Sequence, residues 1–196
     1  SERGTIAVPG NMGGLHWGGM AYDPKRHLLI APANHFAALV QLIRRENYSA
    51  ARTADKFGME FAPQAGTPYG MARRFLLTED RQPCVKGPHG TLSAVDTRTG
   101  EIRWQVPLGA SINLGGPITT ASDLTFIGAS LDGYFRAFET STGKELWKTK
   151  LPASARSTPM TYVHQGKQYV VISAGGHDEQ FGPLGDEIIA FTLKQK

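Results

Sequence analysis

A stretch of fifteen residues occurs twice in this chain, and that repetition constrains the fold more than any other feature. Gly90-Thr-Leu-Ser-Ala-Val-Asp-Thr-Arg-Thr-Gly-Glu-Ile-Arg-Trp104 returns 43 residues later as Gly133-Tyr-Phe-Arg-Ala-Phe-Glu-Thr-Ser-Thr-Gly-Lys-Glu-Leu-Trp147. Gly, Ala, an acid, two Thr, Gly and Trp coincide, and Leu92 and Val95 find apolar partners in Phe135 and Phe138. A period of about 40–45 residues marks repeat architectures, among them propellers built from four-stranded blades.

Each copy reads as a β-hairpin. Thr91–Val95 and Tyr134–Phe138 alternate as strands do. Asp96–Gly100 and Glu139–Gly143 are turns, with a glycine available for positive φ. Glu101–Val106 and Lys144–Trp147 are the return strands. Further hairpins fit around them. Pro117–Thr120 is followed by Leu124–Ala129, and Pro159–Val163 by Gln168–Ala174. Asp186–Leu193 is one more alternating strand, and Trp17–Pro24 with Leu28–Pro32 reads as the inner strands of an earlier blade. No long helix is expected; Leu39–Glu46 suits a short helix or a strand equally. The stretch from about Asn47 to Gly87 fits no blade period, and we read it as an insertion over one face.

The expectation is therefore an all-β chain, a β-propeller of four-stranded antiparallel blades, holding about three to four of them. Propellers close into rings of typically four to eight blades. Upstream blades, or a second copy, are needed to close the ring and cover the end blades.

Composition excludes several function classes. The 23 glycines and 12 prolines suit a turn-rich globular chain. The net charge of +4 is dispersed rather than gathered into a basic patch, so nucleic acid is not expected as a partner. Cys84 is the sole cysteine, which removes intramolecular disulfides and cysteine-rich metal sites. His16, His27, His35, His89 and His164 show no metal-type spacing. Asp178, Glu179, Asp186 and Glu187 read as solvated loop charges. No apolar run reaches the ~18 residues that a membrane span requires. Ser1-Glu2-Arg3-Gly4 is not a charged-then-apolar leader, so an export signal would lie upstream or have been removed.

Ala94-x-Asp-x-x-Thr-Gly-x-x-x-Trp104 and Ala137-x-Glu-x-x-Thr-Gly-x-x-x-Trp147 resemble the tryptophan-docking motif of PQQ-dependent (quinoprotein) alcohol and sugar dehydrogenases. In that family the indole stacks on the neighbouring blade, a role suited to a large flat ring. Trp17, Trp104 and Trp147 are expected as core or blade-docking residues. Pro9-Gly-Asn-Met-Gly-Gly-Leu-His-Trp-Gly-Gly-Met-Ala-Tyr-Asp-Pro24, Thr158-Pro-Met-Thr-Tyr162 and Gly166–His177 are similar to segments of the membrane-bound glucose/quinate dehydrogenase branch.

The resemblance implies that residues 1–196 form the C-terminal portion of one propeller of eight blades. It implies PQQ as cofactor, with Ca²⁺ or Mg²⁺ held by ligands upstream of this segment. Asn11 matches an asparagine that contacts PQQ, Leu114 a position lining the cofactor pocket through its backbone, and His177 a histidine near the substrate mouth. No catalytic residue and no metal ligand of the family matches a position here. The implied activity is oxidation of a sugar or polyol, glucose by default, with electrons passed to respiratory quinone, in the periplasm and with a possible upstream membrane anchor.

The sequence also departs from the pattern. His177 is followed by Asp178-Glu179-Gln180 where the family is smaller and glycine-rich, and the loop Pro107–Gly116 is short. The first departure bears on substrate choice; the second would widen the pocket or alter the contact with respiratory quinone. The competing expectation is a cofactor-free scaffold of the same architecture that binds proteins; such a scaffold needs neither the Asn11 turn nor the His177 loop.

Overall fold

The computed structural model describes residues 1–10, 12–80, 83–109, 112–176 and 182–193. In chain order the elements are β1 (Thr5–Ala7), β2 (Gly14–Leu15), β3 (Ala21–Asp23), β4 (Leu28–Asn34), β5 (Ala38–Arg44), α1 (Arg45–Thr53), β6 (Glu60–Ala62), β7 (Tyr69–Phe75) and β8 (Gly90–Asp96). They continue as β9 (Ile102–Pro107), β10 (Ile118–Thr119), β11 (Leu124–Ile127), β12 (Tyr134–Glu139), β13 (Glu145–Lys150), β14 (Met160–His164), β15 (Lys167–Ala174) and β16 (Glu187–Phe191). The chain divides into two compact units, Ser1–Gly14 with His35–Gly87, and Leu15–Asn34 with Pro88–Lys196.

The larger unit is built of blades. Strands β3, β4, β8 and β9 form one antiparallel sheet, in which β2 also pairs with β4; β10–β13 form a second and β14–β16 a three-stranded third. The propeller reading thus holds, with two complete blades and three strands of another. The two copies of the repeat agree down to their irregularities. Register shifts between Ala94 and Val95 in β8 and between Ala137 and Phe138 in β12, the corresponding residues. Both turns close with a glycine amide donating to the acid's carbonyl, Gly100 to Asp96 and Gly143 to Glu139, each at 2.8 Å. The threonine after each acid donates to the preceding hairpin turn, Thr97 to His27 O and Thr140 to Asp123 O, both at 2.9 Å. His27 and Asp123 both have positive φ, as does Gln165 in the matching turn of the third blade.

Two apolar layers weld the blades. Ile30, Leu92, Ala94, Leu108, Ile127 and Phe138 pack between the first and second, with Trp104 against them. Phe135, Leu151, Val170 and Ile172 pack between the second and third, with Phe126 and Phe191 at the margin. Trp104 docks as the motif requires: its Nε1–H donates to Thr140 O at 3.0 Å, and its ring lies over Gly143. Trp147 sits edge-on to Phe135 and Phe191, with centroids 6.0 and 5.4 Å away. Trp17 corrects the expectation made for it, because it is 74 % exposed and belongs to neither layer.

Asp96 shows how the turns are pinned electrostatically. Its carboxylate accepts from Arg98 Nη2 at 2.8 Å and from the Arg98 amide at 3.0 Å, which holds its pKa well below the usual carboxylate range. A carboxyl whose pKa is depressed on folding adds stability above its unfolded pKa of ~4, and that stability drains away as pH falls toward the folded value. Asp96→Asn is therefore expected to shrink the drop in unfolding midpoint between about pH 4 and pH 2. Acid unfolding curves that superimpose for parent and variant would refute this.

In the smaller unit, β1, β5, β7 and β6 form a four-stranded antiparallel sheet in that order, and α1 packs on β5 and β7. The ambiguous run after Leu39 resolves as strand to Arg44, then helix from Arg45. Tyr48 is the buried anchor of α1, edge-on to Phe61 at 6.0 Å, and Gly70 lies so close under its ring that no side chain fits there. Arg45 ties the turn before β7 by donating from Nη2 to the carbonyls of Gln64, Thr67 and Tyr69 at 2.8–2.9 Å. No described helix is long and apolar enough to cross a membrane.

Candidate functional site

The segment leading into the second blade is buried at its described end. It leaves β9 at Leu108, whose amide donates to Gly90 O at 3.0 Å. Residues Ile112–Gly116 are all buried. This stretch runs antiparallel to Ala129–Leu131: Asn113 bridges Ser130, the Leu114 amide donates to Ala129 O at 3.0 Å, and the Leu131 amide donates to Ile112 O at 3.3 Å.

Its other edge is held by a side chain. Asn34, at the end of β4, donates from Nδ2 to Asn113 O at 2.8 Å and accepts from the Asn113 amide through Oδ1 at 2.7 Å. One carboxamide thus satisfies both backbone groups of Asn113. Asn113 is 0 % exposed, and both its side-chain nitrogen and its oxygen lack a hydrogen-bond partner among the described residues. A buried amide without partners costs about 1–3 kcal/mol, so such groups call for an explanation.

Past Leu114 the backbone meets other backbone directly. A side chain on Gly116 would collide with Gly18 O, and one on Gly18 would stand 2.7 Å from Gly115 C. Thr158 Oγ1 donates to Gly18 O at 3.2 Å. His16 accepts from the Gly18 amide through Nδ1 at 3.0 Å, and burial lowers its pKa, so the ring is neutral with its proton on Nε2. That Nε2 is buried and has no hydrogen-bond partner among the described residues. The backbone of buried Arg156 lies against Gly115.

Of the residues read from sequence as site residues, Leu114 falls within this segment, with its side chain buried and its amide committed to Ala129. Asn11 and His177 lie outside the described residues. Asn34, Asn113 and His16 were not singled out as site residues. Asn34 carried a signal: it continues the inward series Leu28, Ile30, Pro32, where an amide is out of place. Among the described residues no group of three or more His, Cys, Asp and Glu side chains is arranged to hold a metal ion. A separate apolar groove of about 550 Å³ lies between the second and third blades, lined by Phe126, Leu146, Trp147, Val170 and Phe191. Its lining is mainly apolar, and Trp147, Val170 and Phe191 belong to the packing of the second blade on the third.

The chain is 38% identical to the quinoprotein glucose dehydrogenase of Escherichia coli (strain K12), matching over 98% of this chain and 27% of that protein. It is equally identical, at 38%, to a probable quinate dehydrogenase (quinone) of Xanthomonas campestris pv. juglandis, over 96% of this chain and 27% of that one. The chain therefore spans about a quarter of the length of these relatives. Among solved structures, a quinohemoprotein alcohol dehydrogenase from Comamonas testosteroni superposes with a TM-score of 0.65 at 28% identity, over 88% of this chain and 24% of that one. Residues 1–170 match the PQQ family described as the glucose/ethanol/alcohol dehydrogenase β-propeller domain, and the chain belongs to that family.

Proposed function

We propose that this chain is the C-terminal portion of the propeller of a PQQ-dependent dehydrogenase that oxidises a sugar or polyol, glucose by default. Electrons pass to respiratory quinone, and the protein works in the periplasm. The observation that carries the reading is the buried Leu114–Gly116 backbone, beside polar groups that lack partners among the described residues: the Asn113 carboxamide and Nε2 of His16.

These residues fit the cofactor. PQQ is flat, oxygen-rich and anionic. Glycine backbone that excludes side chains suits a flat partner, while an amide, an imidazole N–H and a buried arginine suit carboxylate and quinone oxygens. When bound, PQQ supplies the redox chemistry, taking up a hydride equivalent from the CH–OH carbon. The protein's part is to bind, orient and exclude water. Leu114 would line the pocket and Asn11 would donate to a quinone oxygen, a bond that strengthens as negative charge gathers there. His177 would stand at the substrate mouth, beside the acidic Asp178 and Glu179. The base and the Ca²⁺ or Mg²⁺ ligands would come from upstream blades.

The test is PQQ-dependent dye reduction by the polypeptide as its cell makes it, with aldoses, polyols and quinate and with Ca²⁺ or Mg²⁺ present. Saturable reduction that disappears without PQQ is the expected result. Asn11→Ala is expected to weaken PQQ binding about tenfold, the worth of one hydrogen bond to a charged partner. A folded protein that reduces dye with none of these substrates would overturn the proposal and favour a protein-binding scaffold.

A further inference from the structure

Asn34, at the end of β4 in the first blade, takes hold of the segment leading into the second through its side chain. Strand β3 pairs with β4 only as far as Ile30, and β8 occupies the opposite edge of β4 up to Asn34. β2 also pairs with β4, so the link from β4 to the segment at Asn113 is made by a carboxamide rather than by a backbone ladder. Both of these bonds go to one residue, Asn113, directly before Leu114. Removing that carboxamide would strand a buried N–H and a buried C=O together, a cost the loop can escape only by moving. The loop has little other room, since Gly115 and Gly116 are already against the backbones of Ser157 and Gly18.

We infer that Asn34 is a positioning residue for the cofactor pocket: its two hydrogen bonds to Asn113 set where the Leu114–Gly116 backbone stands, so affinity for PQQ depends on a carboxamide that acts on the cofactor only through this loop. The inference rests on the PQQ reading above. It also accounts for the orphaned side chain of Asn113, which the clamp holds in place with its amide unspent next to the pocket-lining residue.

The experiment uses the polypeptide as its cell makes it, freed of cofactor, with PQQ as the probe. Affinity is read from quenching of intrinsic fluorescence, and loop order from hydrogen exchange at the amides of residues 112–116. Asn34→Leu keeps the volume and removes both bonds. It is expected to raise the PQQ dissociation constant about tenfold and to speed exchange at Asn113 and Leu114. Thr125→Val is the stability control. It breaks the buried Thr125–Thr140 hydroxyl bond, 2.9 Å long, in the second blade and is expected to leave PQQ affinity unchanged. Should Asn34→Leu fail to fold, Asn34→Asp, which keeps the acceptor for the Asn113 amide and loses the donor, is read in the same way. Unchanged PQQ affinity in a folded Asn34 variant, or an equal loss in Thr125→Val, overturns the inference. Failure of the parent protein itself to bind PQQ overturns the underlying reading instead.

Discussion

Gly143→Ala is expected to cost about 3 kcal/mol of stability, whereas Gly100→Ala, at the same place in the other repeat, costs about 1 kcal/mol. The two glycines share a left-handed backbone, with φ of +76° and +78°. That conformation penalises any side chain alike at both. They differ in what lies above them. A Cβ on Gly143 would stand 2.6 Å from Trp104 Cε3, while one on Gly100 meets nothing within 4 Å. The indole cannot retreat, because Nε1 is bonded to Thr140 O and the ring is packed against the first core layer. The difference between the two substitutions therefore isolates the steric part of blade docking. Denaturant unfolding followed by circular dichroism measures it, and pairing Gly143→Ala with Trp104→Ala should erase the excess. Equal costs at the two glycines would mean that Trp104 does not dock where the structure places it.

That contrast shows why the repeat was legible. A blade buries its strands between neighbours, so the same alternation, acid, turn glycine and tryptophan recur wherever the same packing problem recurs. Strands β3, β4 and β8–β16 follow from this periodicity, whereas β5, β6 and β7 do not. Other features obey no period. The left-handed turns at His27, Asp123 and Gln165 carry three different side chains, none of them glycine. Helix α1 has no side-chain N-cap and holds Asn47, Ser49 and Thr53, which are weak helix formers; it stands on the burial of Tyr48. Trp17 was grouped with the docking tryptophans by residue type, but it lacks the Thr-Gly turn that precedes the other two.

The candidate site was less legible because its parts are held by backbone. Leu114 was reached through resemblance alone; nothing in its local pattern distinguishes it from a core leucine. Asn113 sits in a loop without periodicity, and its weight comes from bonds to Asn34, which is 79 residues away in sequence. Only Asn34 departs from a readable pattern, as the polar end of an otherwise apolar inward face. A buried polar residue that interrupts such a face is the cue to look for a distant partner.

The second large effect is expected from Gly116→Ala, at a cost of about 3 kcal/mol and with PQQ affinity falling by about tenfold or more. Gly116 does not need a left-handed backbone; it needs the space. An added methyl group would fall on Gly18 O and lie 2.8 Å from Thr158 Oγ1. Gly18 is pinned on both sides, its amide by His16 Nδ1 and its carbonyl by Thr158 Oγ1, so two backbones would have to part where no flexible side chain can yield. Parting them shifts Leu114, two residues earlier, and slackens the setting of His16. Thr158→Val separates the two consequences: it removes the bond to Gly18 while leaving the glycine contact intact, and should cost stability with a smaller change in PQQ affinity. Thermal unfolding and PQQ titration of the two variants side by side would decide the matter. If Gly116→Ala lost stability yet bound PQQ as the parent does, the close contact would be structural alone and the cofactor would have to lie elsewhere.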